Sequence, residues 1–174
     1  RPQFGPTRFG QSITNVFTVT NSGNEALLIM AATNDGAGAA YFDVSAIPAR
    51  VEAGTASNFP VVFTAGAIGT FNPTCYTVNN SPYPNYYFGL HGSVFQLSTS
   101  AGPYAGGNTI TITNGNFGAI TNVLVGGVAA EIQASGENWV RITVPAAGSA
   151  GIKDILVQTS DNGAITLAGA YTVN

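Results

Sequence analysis

The chain has 174 residues, of which 45% are hydrophobic and only 7% charged, and its five Lys and Arg against eight Asp and Glu leave a net charge of -3. Ordinary soluble domains carry about 25% charged residues, and with so few basic side chains no cationic stripe exists to neutralise a phosphate backbone, which excludes nucleic acid as a partner. A single cysteine, Cys75, excludes an internal disulfide framework, and a single histidine, His91, leaves little material for a zinc site or a His-centred mechanism.

β-Branched and aromatic residues alternate with Thr, Ser, Asn and Gln, and Gly or Pro punctuates the alternation about every 8–12 residues, which points to an all-β sandwich. In chain order the pattern predicts strands over 12–20, 26–32, 41–45, 56–64, 69–78 and 86–94, then over 109–113, 122–125, 128–133, 139–144, 153–159 and 164–173. Residues 25–32 are the best helix candidate; their shortness and the turns on either side favour a strand. Between the two sets, residues 97–107 are small and contain Pro103, and they read as an interdomain connection with its boundary near 95–99. The expected fold is therefore all-β, two tandem immunoglobulin-like β-sandwich domains over residues 1–96 and 97–174.

No apolar run reaches the roughly 18 residues of a membrane-spanning helix, so no transmembrane segment is expected. The opening Arg1-Pro2-Gln3-Phe4-Gly5-Pro6 has no apolar leader core, and the chain reads as a mature product or a piece cut from a longer polypeptide.

The residues able to carry chemistry are few and scattered. Cys75 lies in the strand-like run 74–78 with no base beside it, which suits a packed or interface thiol better than a nucleophile. His91, near the end of the first domain, reads as an ordinary hydrogen-bonding histidine, with metal ligand or general base as the alternative. Asn34-Asp35-Gly36 and Asp161-Asn162-Gly163 lack the spaced oxygens of a calcium loop and read as turns. Glu131 on a strand and Glu137 in a turn do not make a carboxylate pair for glycoside hydrolysis, and Trp139, at the entry of the next strand, reads as a core or edge aromatic rather than a sugar platform. No catalytic, metal or cofactor-binding residue is expected, and the chain is read as not an enzyme.

The most unusual segment is 79–88, Asn-Asn-Ser-Pro-Tyr-Pro-Asn-Tyr-Tyr-Phe, which connects the last two strands of the first domain. Its prolines restrict the backbone, and Tyr83, Tyr86 and Tyr87 offer large contact area at small entropic cost, making them the candidate interface. Arg1 and Phe4 join that set, because an extended terminal segment 1–7 is suited to add to an open sheet edge of the next copy. Asn79 heads an Asn-x-Ser glycosylation acceptor, although Pro82 follows it.

Residues 98–174 carry, in order, Ser100-Ala101-Gly102-Pro103, Gly106-Gly107, Gly115-Asn116-Phe117-Gly118, Val123 to Gly127, Ile142-Thr143-Val144-Pro145 and Tyr171-Thr172-Val173. This series resembles the IPT/TIG immunoglobulin-like family. Residues 4–95 carry Phe9-Gly10, Thr18-Val19-Thr20-Asn21-Ser22-Gly23, Phe42-Asp43-Val44, Phe59-Pro60-Val61-Val62-Phe63, Gly69-Thr70-Phe71 and Leu90-His91-Gly92, and resemble the ASH/Hydin-type (MSP-related) immunoglobulin-like domain. Both resemblances imply spacer, scaffold or docking modules with no fixed catalytic constellation.

The function expected from these readings is a non-catalytic extracellular or cell-surface structural protein, a subunit or tandem repeat unit of a self-assembling fibre, sheath or stalk. Its partners are further copies of itself or neighbouring modules of one polypeptide. The alternative is an adhesin or carbohydrate-binding module of a larger secreted protein, with glycans as partners and Tyr83, Tyr86, Tyr87 and Trp139 as stacking faces.

Overall fold

The computed structural model describes residues 3–174, and apart from one short 3-10 turn, Ala39–Tyr41, its regular elements are all strands. The chain divides into two compact units, one with residues up to Phe4, Gly10–Gly66 and Thr70–Gly92, the other with Gly5–Phe9, Ala67–Gly69 and Ser93–Asn174. Each is an immunoglobulin-like β-sandwich.

In the first unit the strand Ser12–Thr20 alternates without exception: Ile13, Asn15, Phe17 and Val19 face inward and the Ser, Thr and Val between them face out. It pairs antiparallel with Ala56–Thr64 in unbroken register, from Ser12 opposite Thr64 to Thr20 opposite Ala56, and Phe42–Asp43 flanks the far side. A second sheet has the order Arg50–Val51, Leu27–Asp35, Thr74–Asn79, Asn85–Gly89. The residues read as a short helix or strand are thus a strand, and it runs on to Asp35 because Thr33, Asn34 and Asp35 pair with Tyr76, Cys75 and Thr74.

Two predicted strands are each broken once, and the breaks meet. The run 69–78 stops at Asn72-Pro73 and the run 86–94 at Leu90, where the Leu90 N–H donates to the Pro73 carbonyl at 2.9 Å. Proline has no N–H for the ladder, so pairing on one sheet ends there. Thr74–Asn79 and Asn85–Gly89 remain in the four-stranded sheet, while Gly69–Phe71 and His91–Val94 join Gln3–Thr7 in a three-stranded one.

In the second unit one sheet has the order Gln96–Leu97, Thr109–Thr113, Trp139–Thr143, Glu131–Gly136, and the other Ala101–Gly102, Ala164–Val173, Gly151–Thr159, Ile120–Val125, Val128–Ala129. Ile110, Ile112, Phe117, Val140, Leu167 and Tyr171 lie in the core between them, each fully buried. Gly126 and Gly127 turn the hairpin between Ile120–Val125 and Val128–Ala129 with φ of 58° and 86°, a left-handed conformation that favours glycine.

The stretch read as an interdomain connection is instead part of the second sandwich. Gln96 and Leu97 pair with Thr113 and Ile112, and Ala101 and Gly102 run parallel to Thr172 and Val173. Strands of two residues are too short to show alternation, so only the small residues and Pro103 were visible. The predicted strand 128–133 likewise divides, Val128–Ala129 lying in one sheet and Glu131–Gly136 in the other.

Candidate functional site

The tyrosines sit on a hairpin formed by Thr74–Asn79 and Asn85–Gly89. Its turn is held by side-chain amides: Asn79 Nδ2 donates to the Tyr83 carbonyl at 3.2 Å, Asn79 Oδ1 accepts the Ser81 N–H at 2.8 Å, and Asn80 Oδ1 accepts the Leu28 N–H at 2.8 Å. Asn and Ser are suited to such turns because their short polar side chains reach nearby backbone groups.

The two-residue period of a strand then sorts the aromatics. Thr77 opposes Tyr86 and Cys75 opposes Phe88 on the inward side, while Tyr76 opposes Tyr87 on the outer face. Tyr76 and Tyr87 have ring centroids 6.2 Å apart, and with Leu28, Met30 and Val78 they give this face an exposed apolar patch, with Arg50 at its margin opposite Leu28. On the inward side Tyr83 and Tyr86 border a groove of about 670 Å³ whose floor includes Phe17, Phe59 and Phe88, and no residue lining it is charged. Tyr83, Tyr86 and Tyr87 are 81%, 61% and 68% exposed, but they serve two surfaces rather than one. Leu28, Met30, Tyr76 and Val78 were not singled out in the sequence. The signal was present in the run Leu27-Leu28-Ile29-Met30, where apolar residues occupy both faces of a strand instead of one.

Several candidate residues are placed differently from expectation. Phe4 is fully buried against Phe17, Phe42 and Phe63, with centroid distances of 6.2, 5.4 and 6.3 Å, and Gln3–Thr7 is a strand of its own chain's sheet. This corrects the reading of Phe4 as an interface residue: a large aromatic ring gains more by filling its own core than by waiting for a partner. Arg1 lies outside the described residues. Asn79 is also corrected as a glycosylation site, since it is 6% exposed and its amide nitrogen, the atom a glycan would take, is committed to Tyr83.

Trp139 belongs to the second unit, opposite Thr113 and Gly136, and is 37% exposed. His91 Nδ1 lies 2.6 Å from Asn72 Oδ1. Among the described residues no group of three or more His, Cys, Asp or Glu is placed to hold a metal ion, and no helix is long and apolar enough to cross a membrane.

Cys75 is fully buried, and burial, which penalises the thiolate, pushes its thiol up to about 11. The native chain is expected to react with a thiol-specific disulfide reagent at pH 8 far more slowly than after denaturation, which an absorbance time course measures. Because the folded value is raised, the stabilisation from burying the neutral thiol is complete below the unfolded thiol's range and is lost as pH climbs toward 11.

In the second unit the glycine hairpin at Gly126-Gly127 and the loop in which Gly115 packs on Phe117 stand at the positions of the series noted in the sequence. Residues 94–173 match the IPT/TIG domain family. No curated protein matches the chain.

Among solved structures, the chain is similar to PapD-like domain 7 of human CEP192, described as an ASH/PapD-like domain, at 16% identity over 53% of this chain and 79% of that one, with a TM-score of 0.41. It is similar to the E. coli chaperone DraB at 14% identity over 95% and 93% of the two chains, TM-score 0.41. It is also similar to the Bacteroides ovatus protein SGBP-B of a mixed-linkage glucan utilization locus, solved with a mixed-linkage heptasaccharide, at 18% identity over 88% of this chain and 42% of that one, TM-score 0.35.

Proposed function

We propose that this chain, whose second unit carries the IPT/TIG match, is a non-catalytic structural module of the extracellular space or cell surface, working as a subunit or tandem repeat unit of a self-associating fibre, sheath or stalk. The observation that carries this reading is the apolar patch on the outer face of the four-stranded sheet, where Leu28, Met30, Tyr76, Val78 and Tyr87 stand exposed together. A contiguous exposed apolar face on a folded domain is a mark of an interaction surface. With only 7% charged residues, little electrostatic repulsion opposes contact between copies.

A second reading, a carbohydrate-binding or adhesive module, is favoured by a different observation: Tyr83 and Tyr86 border an uncharged groove with an aromatic floor. Aromatic faces suit the C–H faces of neutral sugars, as they suit other apolar surfaces.

Sedimentation velocity over a concentration series, with electron microscopy of the native material, decides between the two. The structural reading expects association without ligand at micromolar concentration and regular filaments in the native material. Monomers at every concentration, combined with retention on neutral oligosaccharides that is lost in Tyr83→Ala and Tyr86→Ala, overturn it in favour of the second.

A further inference from the structure

Sheet ends that expose unpaired N–H and C=O groups invite pairing with another chain, and proteins blunt them with short strands, charge, proline or bulges. Most sheet ends among the described residues are blunted in this way. Phe42–Asp43, Arg50–Val51, Gln96–Leu97, Ala101–Gly102 and Val128–Ala129 are two residues long. Glu131–Gly136 carries a carboxylate and a register shift between Ile132 and Ala134, and Gln3–Thr7 contains Pro6. The long end strand Ser12–Thr20 has the chain's own Gln3 against it, where Asn15 Nδ2 donates to the Gln3 carbonyl at 2.9 Å. Asn85–Gly89 has none of these protections: it is an end strand of five residues, Asn-Tyr-Tyr-Phe-Gly, without charge, proline or bulge.

The register of the hairpin shows which of its backbone groups face outward. Asn79 N–H donates to the Pro84 carbonyl and Leu90 N–H to the Pro73 carbonyl. In an antiparallel ladder the bonded pairs alternate, so Tyr86 and Phe88 turn their backbone groups toward Thr74–Asn79. Asn85, Tyr87 and Gly89 then direct theirs away from the sheet.

We infer that Asn85–Gly89 pairs antiparallel with the same strand of a second copy, about a twofold axis through Tyr87. The inference rests on the self-association reading and names its contact. In this register Tyr87 faces Tyr87 of the second copy as a hydrogen-bonded pair and Asn85 faces Gly89, so each outward N–H meets an outward C=O. The outer-face row of Tyr76 and Tyr87 continues into Tyr87 and Tyr76 of the second copy, and on the groove side Tyr86 comes beside Phe88. A twofold contact sets every residue near the axis against its own kind. Charge there would repel, and neither Asn85–Gly89 nor its neighbour Thr74–Asn79 carries any.

The test uses the full chain. Tyr87→Lys places two like charges at the axis, and Asn85→Pro removes one outward N–H while leaving every tyrosine and the bonds to Thr74–Asn79 in place. Each is expected to raise the dimer dissociation constant about tenfold or more in sedimentation equilibrium, with a melting temperature close to that of the parent chain. Tyr87→Cys is expected to yield a disulfide-linked dimer on mild oxidation, because residues in a hydrogen-bonded antiparallel pair sit about 5.5 Å apart at Cα, within disulfide reach. Buried Cys75 does not compete, and Tyr104→Cys in the second unit serves as the exposed control. If the chain associates but Asn85→Pro and Tyr87→Lys leave the constant unchanged, the strand contact is overturned and the assembly reading stands. If the parent chain stays monomeric at every concentration, both are overturned.

Discussion

Replacing Phe4 with alanine is expected to destabilise the first unit by about 3–5 kcal/mol, the usual cost of emptying a buried aromatic site. The ring is fully buried and makes contacts with Phe17, Phe42 and Phe63, two of which, Phe42 and Phe63, are themselves tilted against each other with ring centroids 4.7 Å apart. Its loss removes apolar burial and also loosens Gln3–Thr7, a strand that otherwise holds its place by backbone pairing. A fall in melting temperature of roughly 6–20 °C would agree with this, following from the stability loss at about 2–4 °C per kcal/mol for a chain of this size. A change confined to self-association, with melting unaltered, would return Phe4 to the surface role suggested by its position near the start of the sequence.

The second large effect is expected at Gly115. A methyl group there would lie inside the van der Waals envelope of the Phe117 ring, which is itself fully buried. The loop around the ring is already constrained: Asn114 and Asn116 hold φ of 59° and 48°, and the Asn116 N–H bonds to Asn138 Oδ1 at 2.9 Å. Gly115→Ala should therefore cost about 3 kcal/mol, as overpacking of a tight core does. Gly148→Ala is the control, because its added carbon meets nothing within 4 Å and its backbone is not left-handed. Chemical denaturation of the two variants side by side separates a steric cost at Gly115 from a general intolerance of lost glycine; equal midpoints would count against the packing account.

Much of this architecture was legible because long half-buried strands write their two faces into the sequence. Residues 12–20, 56–64, 109–113 and 164–173 are strands over the spans that alternation predicts. Where a strand has only two residues, as at Gln96–Leu97 and Ala101–Gly102, there is no period to read, and composition alone suggested a spacer. Gln3–Thr7 was hidden for a related reason: one buried anchor, Phe4, stands between a terminus and a Gly-Pro pair, and a single apolar residue does not define a face. Pro73 lies inside the predicted strand 69–78, where alternation alone indicates no break. Pro73 does not end a predicted strand at a loop; it moves the chain from one sheet to another.

The candidate surfaces were partly legible in the same sense. The abundance of tyrosine in 83–87 drew notice, yet its division between a groove and an outer face depends on register, which turn geometry and long-range pairing set together. The apolar outer residues Leu28, Met30 and Val78 become a surface only once Leu27–Asp35 and Thr74–Asn79 lie side by side. Asn79 shows the converse, a local motif whose meaning was reversed by the hydrogen bond that its amide makes across the turn.

The parallel pairing of Ala101–Gly102 with the final strand has a mechanical consequence. Thr172 N–H donates to the Ser100 carbonyl at 2.8 Å, Asn174 N–H to the Gly102 carbonyl at 3.0 Å, and Tyr104 N–H to the Asn174 carbonyl at 2.9 Å. These bonds join the early and late ends of one sandwich, and the two strands point the same way. Tension that enters through the early strand and leaves through the late one pulls them past each other along their length. The bonds then bear the load together as a shear clamp, whereas an antiparallel terminal pair would be peeled open one bond at a time.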